Sequence, residues 1–389
     1  MCNSTTELIN AIDPQRIARL AMEWISVPSP TGHTREVSDL FAAYYRRLGF
    51  DVETFFDVPE APGVAARRVM DAGGPTLQLD GHIDHIPVDH APPALTDGVV
   101  HGRGACDMKG PLAALAEAVR VIVQSGLRLR GTLLCTTHGT HEAPHGWGEG
   151  LSAMIRRGVH GDAALVAEGP DAYIALAGRG SAIYDLHITR PGQGAHELRH
   201  RGGSPVWAAV RAAAEIDRMR AELAAGPARP YVGHESIFIG QVHAGDFYNR
   251  VPTRAYIQGT RRFFADHPSA DVRRELDGRL RPVVEAAGCH LELHFQPVRE
   301  GFELSPDEPL VRALRQAMTT VDGREPPFGG MSAVGDVSIF VTQARIPAVY
   351  AGADSETAHA DREFIALDKL VRAARVYLLT VLNYLGLAE

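Results

Sequence analysis

Residues 77–85, Leu-Gln-Leu-Asp-Gly-His-Ile-Asp-His, carry the first chemistry in the chain: an alternating apolar run ends at Gly81 and delivers His82, Ile83 and Asp84. If 77–80 is a buried strand, His82 and Asp84 stand at its carboxyl end on one face, because strand side chains alternate with period two. That end of an open α/β sheet is where ligands and metals collect. Neutral imidazole binds zinc, and a nearby carboxylate holds the ring in one tautomer. His82 is therefore a candidate metal ligand and Asp84 its orienter. A second segment, Gly-Arg-Gly-Ala-Cys-Asp-Met-Lys-Gly at 102–110, sets Asp107 where a helix begins. A carboxylate there can cap the helix or bridge two cations through its two oxygens. A third segment, 137–150, follows a buried strand and is crowded with His138, His141, Glu142 and His145. Glu168, in Val-Ala-Glu-Gly-Pro, follows the next strand, and His359 precedes the last helix. All lie just past strand ends, where a parallel sheet would bring them together.

The elements that must hold them are legible from periodicity. Asp13-Pro14 opens a helix that stops near Pro28, and a second helix runs over 34–48 with Gly49 as its stop. Strands are expected at 51–58, 63–69 and 75–79. Residues 107–125 read as a helix with Pro111 in its first turn and Leu112, Leu115, Ala116, Val119, Ile122 and Val123 on one face. A strand at 131–137, a helix at 150–157 and a strand at 163–167 follow. Such alternation predicts an α/β fold: a mainly parallel, doubly wound sheet with helices on both faces. From about residue 179 the order changes. A strand at 181–189, a helix at 204–224, strands at 235–242 and 254–264, a helix at 270–287 and a strand at 290–296 give β-α-β-β-α-β. This is the split pattern of an inserted α+β, ferredoxin-like domain over 179–298. Helix 307–320, a Gly-rich loop at 329–331, strand 346–351 and helix 366–385 return to the first sheet. The catalytic domain thus comprises 1–178 and 299–389.

Composition narrows the function classes. A chain of 389 residues is too long for one small core. A net charge of −8 disfavours nonspecific nucleic-acid binding. No apolar run approaches the ~20 residues of a membrane span, and residues 1–12 show no secretory pattern. The cysteines, Cys2, Cys106, Cys135 and Cys289, form no Cys-x-x-Cys pair, which points to a reducing cytoplasm.

Taken together and in this order, the motifs resemble the co-catalytic zinc family of succinyl-diaminopimelate desuccinylases, acetylornithine deacetylases, aminoacylases and glutamate carboxypeptidases. The likeness extends from about residue 13 to 385. It implies that Asp107 bridges two metals, that His82 and Glu168 complete one site and that Glu142 and His359 complete the other. It implies two Zn²⁺ per subunit, with Mn²⁺ or Co²⁺ as substitutes, and a hydroxide between them as nucleophile. The inserted domain would be a dimerisation or lid domain pairing two copies. His196, in Gln-Gly-Ala-His, resembles a histidine that reaches the neighbouring subunit's site and stabilises the oxyanion. Asn249, in Asn-Arg-Val-Pro, resembles a substrate contact; Arg262, or Arg261, resembles the arginine that binds a substrate carboxylate. Gly330, in Gly-Gly-Met-Ser, resembles the glycine-rich substrate loop, with Asp336 near its usual Asp.

One position departs from that pattern. The family carries Glu-Glu after the third strand, base then ligand, whereas this chain has His141-Glu142 and then Ala143-Pro144-His145. Three readings stand. His141 is the base, its ordinary pKa of ~6.5 being suited to proton transfer near neutrality. Or the loop is shifted, Glu142 is the base, and His145 or His141 ligates metal. Or ordinary amide hydrolysis is altered or lost. The resulting expectation is a cytoplasmic, homodimeric metallohydrolase that cleaves an amide bond in a small carboxylate, such as an N-acyl amino acid or dipeptide. The alternatives are a non-standard C–N substrate at the same site and a catalytically silent metal-binding homologue.

Overall fold

The computed structural model describes residues 5–142 and 146–388. Cys2 and His145 lie outside the described residues. The chain divides into two compact units: Met1–Leu176, Leu304–Gly329 and Gly335–Glu389 form one, and Ala177–Glu303 with Gly330–Val334 form the other.

In chain order the first unit lays down α1 (Pro14–Ile25), α2 (Arg35–Arg47), β1 (Asp51–Phe55), β2 (Gly63–Val69), β3 (Thr76–His82), α3 (Lys109–Ser125), β4 (Thr132–His138), α4 (Glu149–Arg156) and β5 (Ala163–Val166). The second unit follows with β6 (Gly180–Thr189), α5 (Pro205–Ala225), β7 (Ser236–Ala244), β8 (Arg254–Phe263), α6 (Ser269–Glu285) and β9 (His290–Arg299). The chain returns to the first unit through α7 (Pro309–Asp322), β10 (Ala348–Tyr350) and α8 (Leu367–Leu385).

The large sheet has the order β1-β2-β4-β3-β5-β10. β3 runs parallel to β4 and β5, and β5 parallel to β10, while β2 pairs antiparallel with β1 and β4. The expected parallel sheet is present, with a two-stranded antiparallel edge. β4 and β5 are buried along their whole length and β3 from its second residue on, as parallel strands covered on both faces must be. α1 starts as its sequence dictates: Asp13 accepts a 2.9 Å hydrogen bond from the Gln15 N–H, and Pro14 occupies the first helical position. α3 packs against α1 and α8, and α8 against α7. The α3 residues Leu112, Leu115, Val119 and Ile122, read as an apolar face, are buried. Burying each such side chain contributes about 1.5–3 kcal/mol.

Gly81 decides how close α3 comes to β3. A Cβ on it would lie 2.4 Å from Met108 Cε and 2.8 Å from Leu112 Cδ2. The missing side chain lets the start of α3 press on the strand end. Gly102 and Gly104 have φ of +142° and +93°, values that glycine adopts without strain, and they turn the chain towards Asp107.

The second unit has four antiparallel strands in the order β7-β8-β6-β9. This is the strand order of a split β-α-β unit. Alternate residues of β8 are buried, and its Ala255, Ile257 and Phe263 join α5 residues such as Ala208, Ala212 and Ile216 and α6 residues such as Val272, Leu276 and Leu280 in one core. Among the described residues no helix is long and apolar enough to cross a membrane.

Candidate metal centre

β3 ends on His82, which is fully buried. Its Nε2 lies 3.1 Å from Asp107 Oδ1 and its Nδ1 3.1 Å from the Asp84 carbonyl oxygen. Asp84, the expected orienter, meets this ring through its main chain, its carboxylate standing 3.6 Å away. The carboxylate has another task that sequence reading missed. It accepts the backbone N–H groups of His141, at 3.1 Å, and Glu142, at 3.0 Å. Asp84 thereby fastens the loop after β4 to the end of β3.

Asp107 offers one oxygen to each of two histidines: Oδ1 to His82 and, at 3.3 Å, Oδ2 to His359. His359 Nε2 also lies 3.0 Å from Glu142 Oε1. His359 has φ of +62°, a left-handed conformation that costs a non-glycine residue about 1–3 kcal/mol and is held here at a cluster of ionisable groups. Donor atoms from His82, Asp107 and Glu142 lie within 4.8 Å of one another, as do those from His82, His141 and Glu168. The fold therefore gathers all five expected ligands and His141 within the first unit. His138 belongs to a separate trio with Asp80 and Asp336.

The electrostatics describe a site that wants cations. Burial pulls the His82 imidazole down, but the Asp107 and Asp84 carboxylates outweigh it and hold the ring well above an ordinary histidine. Hydrogen bonds to Asp107 and Glu142 raise His359 to about 10. Asp107, though buried, is driven far below the carboxylate range by His359 and His82. Burial likewise pushes Asp84 up, but His82 prevails and lowers it to about 2. Glu168 is pushed up to about 7, chiefly by burial, and its Oε2 is buried without a hydrogen-bond partner. A carboxylate two oxygens wide between two histidines, together with this orphaned oxygen, fits a pair of divalent cations bound by nitrogen and oxygen donors. The protons now shared by these groups are the ones that metal binding displaces.

His141 stands differently. Its ring stacks on that of His82, with centroids 4.0 Å apart and planes 8° from parallel. Its Nδ1 lies 2.8 Å from Asp336 Oδ2. Burial lowers its basicity, but Asp336 dominates and the imidazole is raised.

A residue absent from the sequence reading locks the centre. Glu363, fully buried, accepts the N–H groups of Gly104, Cys106 and Asp107 at 3.0–3.1 Å through Oε1 and pairs with Arg103 through Oε2. Arg103 in turn donates to the Ala360 carbonyl. The loop carrying Asp107 is thus tied to the loop carrying His359. The only sequence signal was a Glu four residues after His359, which reads as solvated. Cys106 is a buried packing residue whose thiol is pushed up by burial.

The second unit brings two expected residues together. The Asn249 side-chain amide, in the turn just before the short strand 250–251, is 3.2 Å from Nε2 of His196, which lies on the strand paired with it. Arg261 is buried and paired with Glu235 and Glu275, a structural role. Arg262 is half-buried with Nη1 lacking a hydrogen-bond partner. Gly330 packs against the Tyr231 backbone, whose oxygen would lie 2.3 Å from an added Cβ.

A sequence model described as Peptidase family M20/M25/M40 matches residues 78–383. A succinyl-diaminopimelate desuccinylase from Gluconacetobacter diazotrophicus is 31% identical over 333 residues, covering 79% of this chain and 81% of that enzyme. The fold matches an aminopeptidase PepT from Bacillus cereus with a TM-score of 0.80 at 20% identity, over 96% of this chain and 99% of that one. It matches a Bacillus subtilis protein described as a dinuclear metal binding peptidase from the M20 family with a TM-score of 0.72 at 16% identity, over 96% and 99%. At such identities these structures speak to fold alone.

Proposed function

The chain belongs to peptidase family M20/M25/M40, whose members hydrolyse amide C–N bonds with metal, and from that premise we propose that it removes an acyl group from a small, carboxylate-bearing amine at a two-metal centre. Asp107 carries this reading, because its two oxygens face His82 and His359 separately. His82 and Glu168 would hold one cation, Glu142 and His359 the other, and Asp107 both. Zinc suits these donors best, with manganese or cobalt as substitutes. Such a pair, when bound, activates a water and polarises the scissile carbonyl.

The chain's own residues supply the rest. Asp84 holds the His82 ring and the 141–142 backbone in place. His141 takes the proton from the attacking water and delivers it to the leaving amine. His196 and Asn249 donate to the carbonyl oxygen as it gains charge, and Arg262 receives the substrate carboxylate. The named desuccinylase relative supports an N-succinyl amino acid as the first substrate class to try. His141 in place of a carboxylate favours a second reading, in which the same centre acts on another C–N bond such as an N-carbamoyl group.

A cytoplasmic homodimer is the assembly we propose. The second unit exposes Phe238 and Val242 on β7 and Trp207 and Val210 on α5, surface that a second copy would cover. Assay of the purified chain with zinc, manganese or cobalt against N-succinyl-L,L-diaminopimelate, N-acetyl amino acids, dipeptides and N-carbamoyl amino acids tests the reading. His82→Ala and Asp107→Ala should each lower turnover by about 10³-fold or more. Near-full activity in either variant would sink it, and a monomer in light scattering would rule out His196 acting across subunits.

A further inference from the structure

Behind His141 lies a row of buried polar groups that the metal centre does not use. Asp336 Oδ2 is 2.8 Å from His141 Nδ1 and 3.3 Å from His138 Nε2. His138 Nε2 is 3.6 Å from Asp80 Oδ2. Asp80 Oδ1 accepts the Thr136 hydroxyl at 2.5 Å, Thr136 Oγ1 accepts from Gln78 Nε2, and Gln78 Oε1 accepts the Gly161 N–H. Asp80, His138 and Asp336 are all 0% exposed. Burying two carboxylates and an imidazole, on two neighbouring strands and a short helix, is expensive unless they pair with one another.

We propose that Asp336 is the positioning residue for His141: anchored from behind by His138 and Asp80, it grips the imidazole at Nδ1 and so presents Nε2 to the reacting water. This deepens the assignment of His141 as the base and rests on it. The chemistry of an imidazole base gives such a row a task. A glutamate base offers two equivalent oxygens and works in either orientation. An imidazole has two distinct nitrogens, and only the tautomer with its proton on Nδ1 leaves Nε2 free to accept one. Asp336 selects that tautomer. It needs a partner of its own, because a carboxylate between two neutral rings would be a costly buried charge. His138 meets that need by position: its Nε2 lies between the two carboxylates, 3.3 Å from Asp336 Oδ2 and 3.6 Å from Asp80 Oδ2, and against the pull of burial they raise its basicity.

Two measurements on the zinc-loaded chain test this. The first needs no substrate. In a proton spectrum with ¹⁵N-labelled histidine, a far-downfield Nδ1–H signal of His141 is expected, lost in His141→Gln and lost or moved upfield in Asp336→Asn. An unchanged signal in Asp336→Asn overturns the proposal. The second uses the best substrate of the panel. Asp336→Asn should lower kcat by about 10²–10⁴-fold, the scale of losing an imidazole's orienting carboxylate, with KM and the two bound zinc ions retained. His138→Gln should lower kcat less, by about tenfold. Full kcat in Asp336→Asn with an inactive His141→Gln overturns the positioning role alone. An active His141→Gln overturns the base assignment instead, while the spectrum still decides the hydrogen bond. A third zinc ion per chain, lost in His138→Gln, would make the trio a metal site and overturn the proposal.

Discussion

Glu168 looks like a destabilising error in the metal-free chain, and the proposed metal centre gives it a purpose. Its carboxyl is raised from about 4.5 to about 7, mainly by burial. An acid raised on folding holds its proton more tightly in the native state, so metal-free stability falls as pH rises from about 4.5 to 7 and stays reduced above. Glu168→Gln removes that penalty. In the metal-free protein the variant should match the wild type at pH 4 and exceed it at pH 8 by about 1–3 kcal/mol in urea unfolding. With zinc present the order should reverse, because the glutamine is a poor ligand. A variant less stable than wild type at pH 8 without metal would show that Glu168 is already paired. His359 runs the other way. Its raised value, about 10, contributes metal-free stability that is complete below its unfolded pKa of ~6.5 and lost as pH rises through 10.

At the scale of elements, the centre depends on how loops are tied together. Glu363 receives three N–H groups from the loop before α3 and pairs with Arg103. Glu363→Gln keeps an acceptor but removes the charge, leaving Arg103 buried without its carboxylate. Breaking a buried pair in this way costs about 3–5 kcal/mol. The Asp107 loop should loosen with it, and zinc affinity should fall by about 10–100-fold in a competition titration with a chelator. Wild-type affinity in this variant would mean that the loop is set by its glycines alone. These ties mark where the sequence stops being readable. β3 and α3 follow from periods of 2 and 3.6, β4 and β5 from short continuous apolar runs, and the split β-α-β order of the second unit from six consecutive segments. His82 and Asp107 stand out because glycines flank them. Glu363 does not, since a Glu beside Arg362 reads as solvated. The partnership of His141 with Asp336 spans 195 residues of chain and depends on which way a ring turns, which no local pattern encodes.

At the scale of the whole molecule, the expected ligands come from five separated segments, at 82, 107, 142, 168 and 359, and all five fall in the first unit. Cations bound there would cross-link segments that the sheet already brings close, and anything that binds only the native state stabilises it by mass action. The second unit has its own core, built from α5, α6 and its four strands, with no ligand among the five. Chelation should therefore act on one unit and spare the other. Hydrogen exchange with and without zinc should show protection lost on chelation in the segments around 102–110, 139–142 and 357–363, whose ties run through the centre. Protection in β6, β8 and β9 should stay the same. The melting temperature should fall on chelation, and the fall should be smaller in Asp107→Asn, which has less metal to lose. Equal loss of protection in β6 and β8 would mean that the two units unfold as one, and that the metals stabilise the entire chain rather than the sheet that carries them.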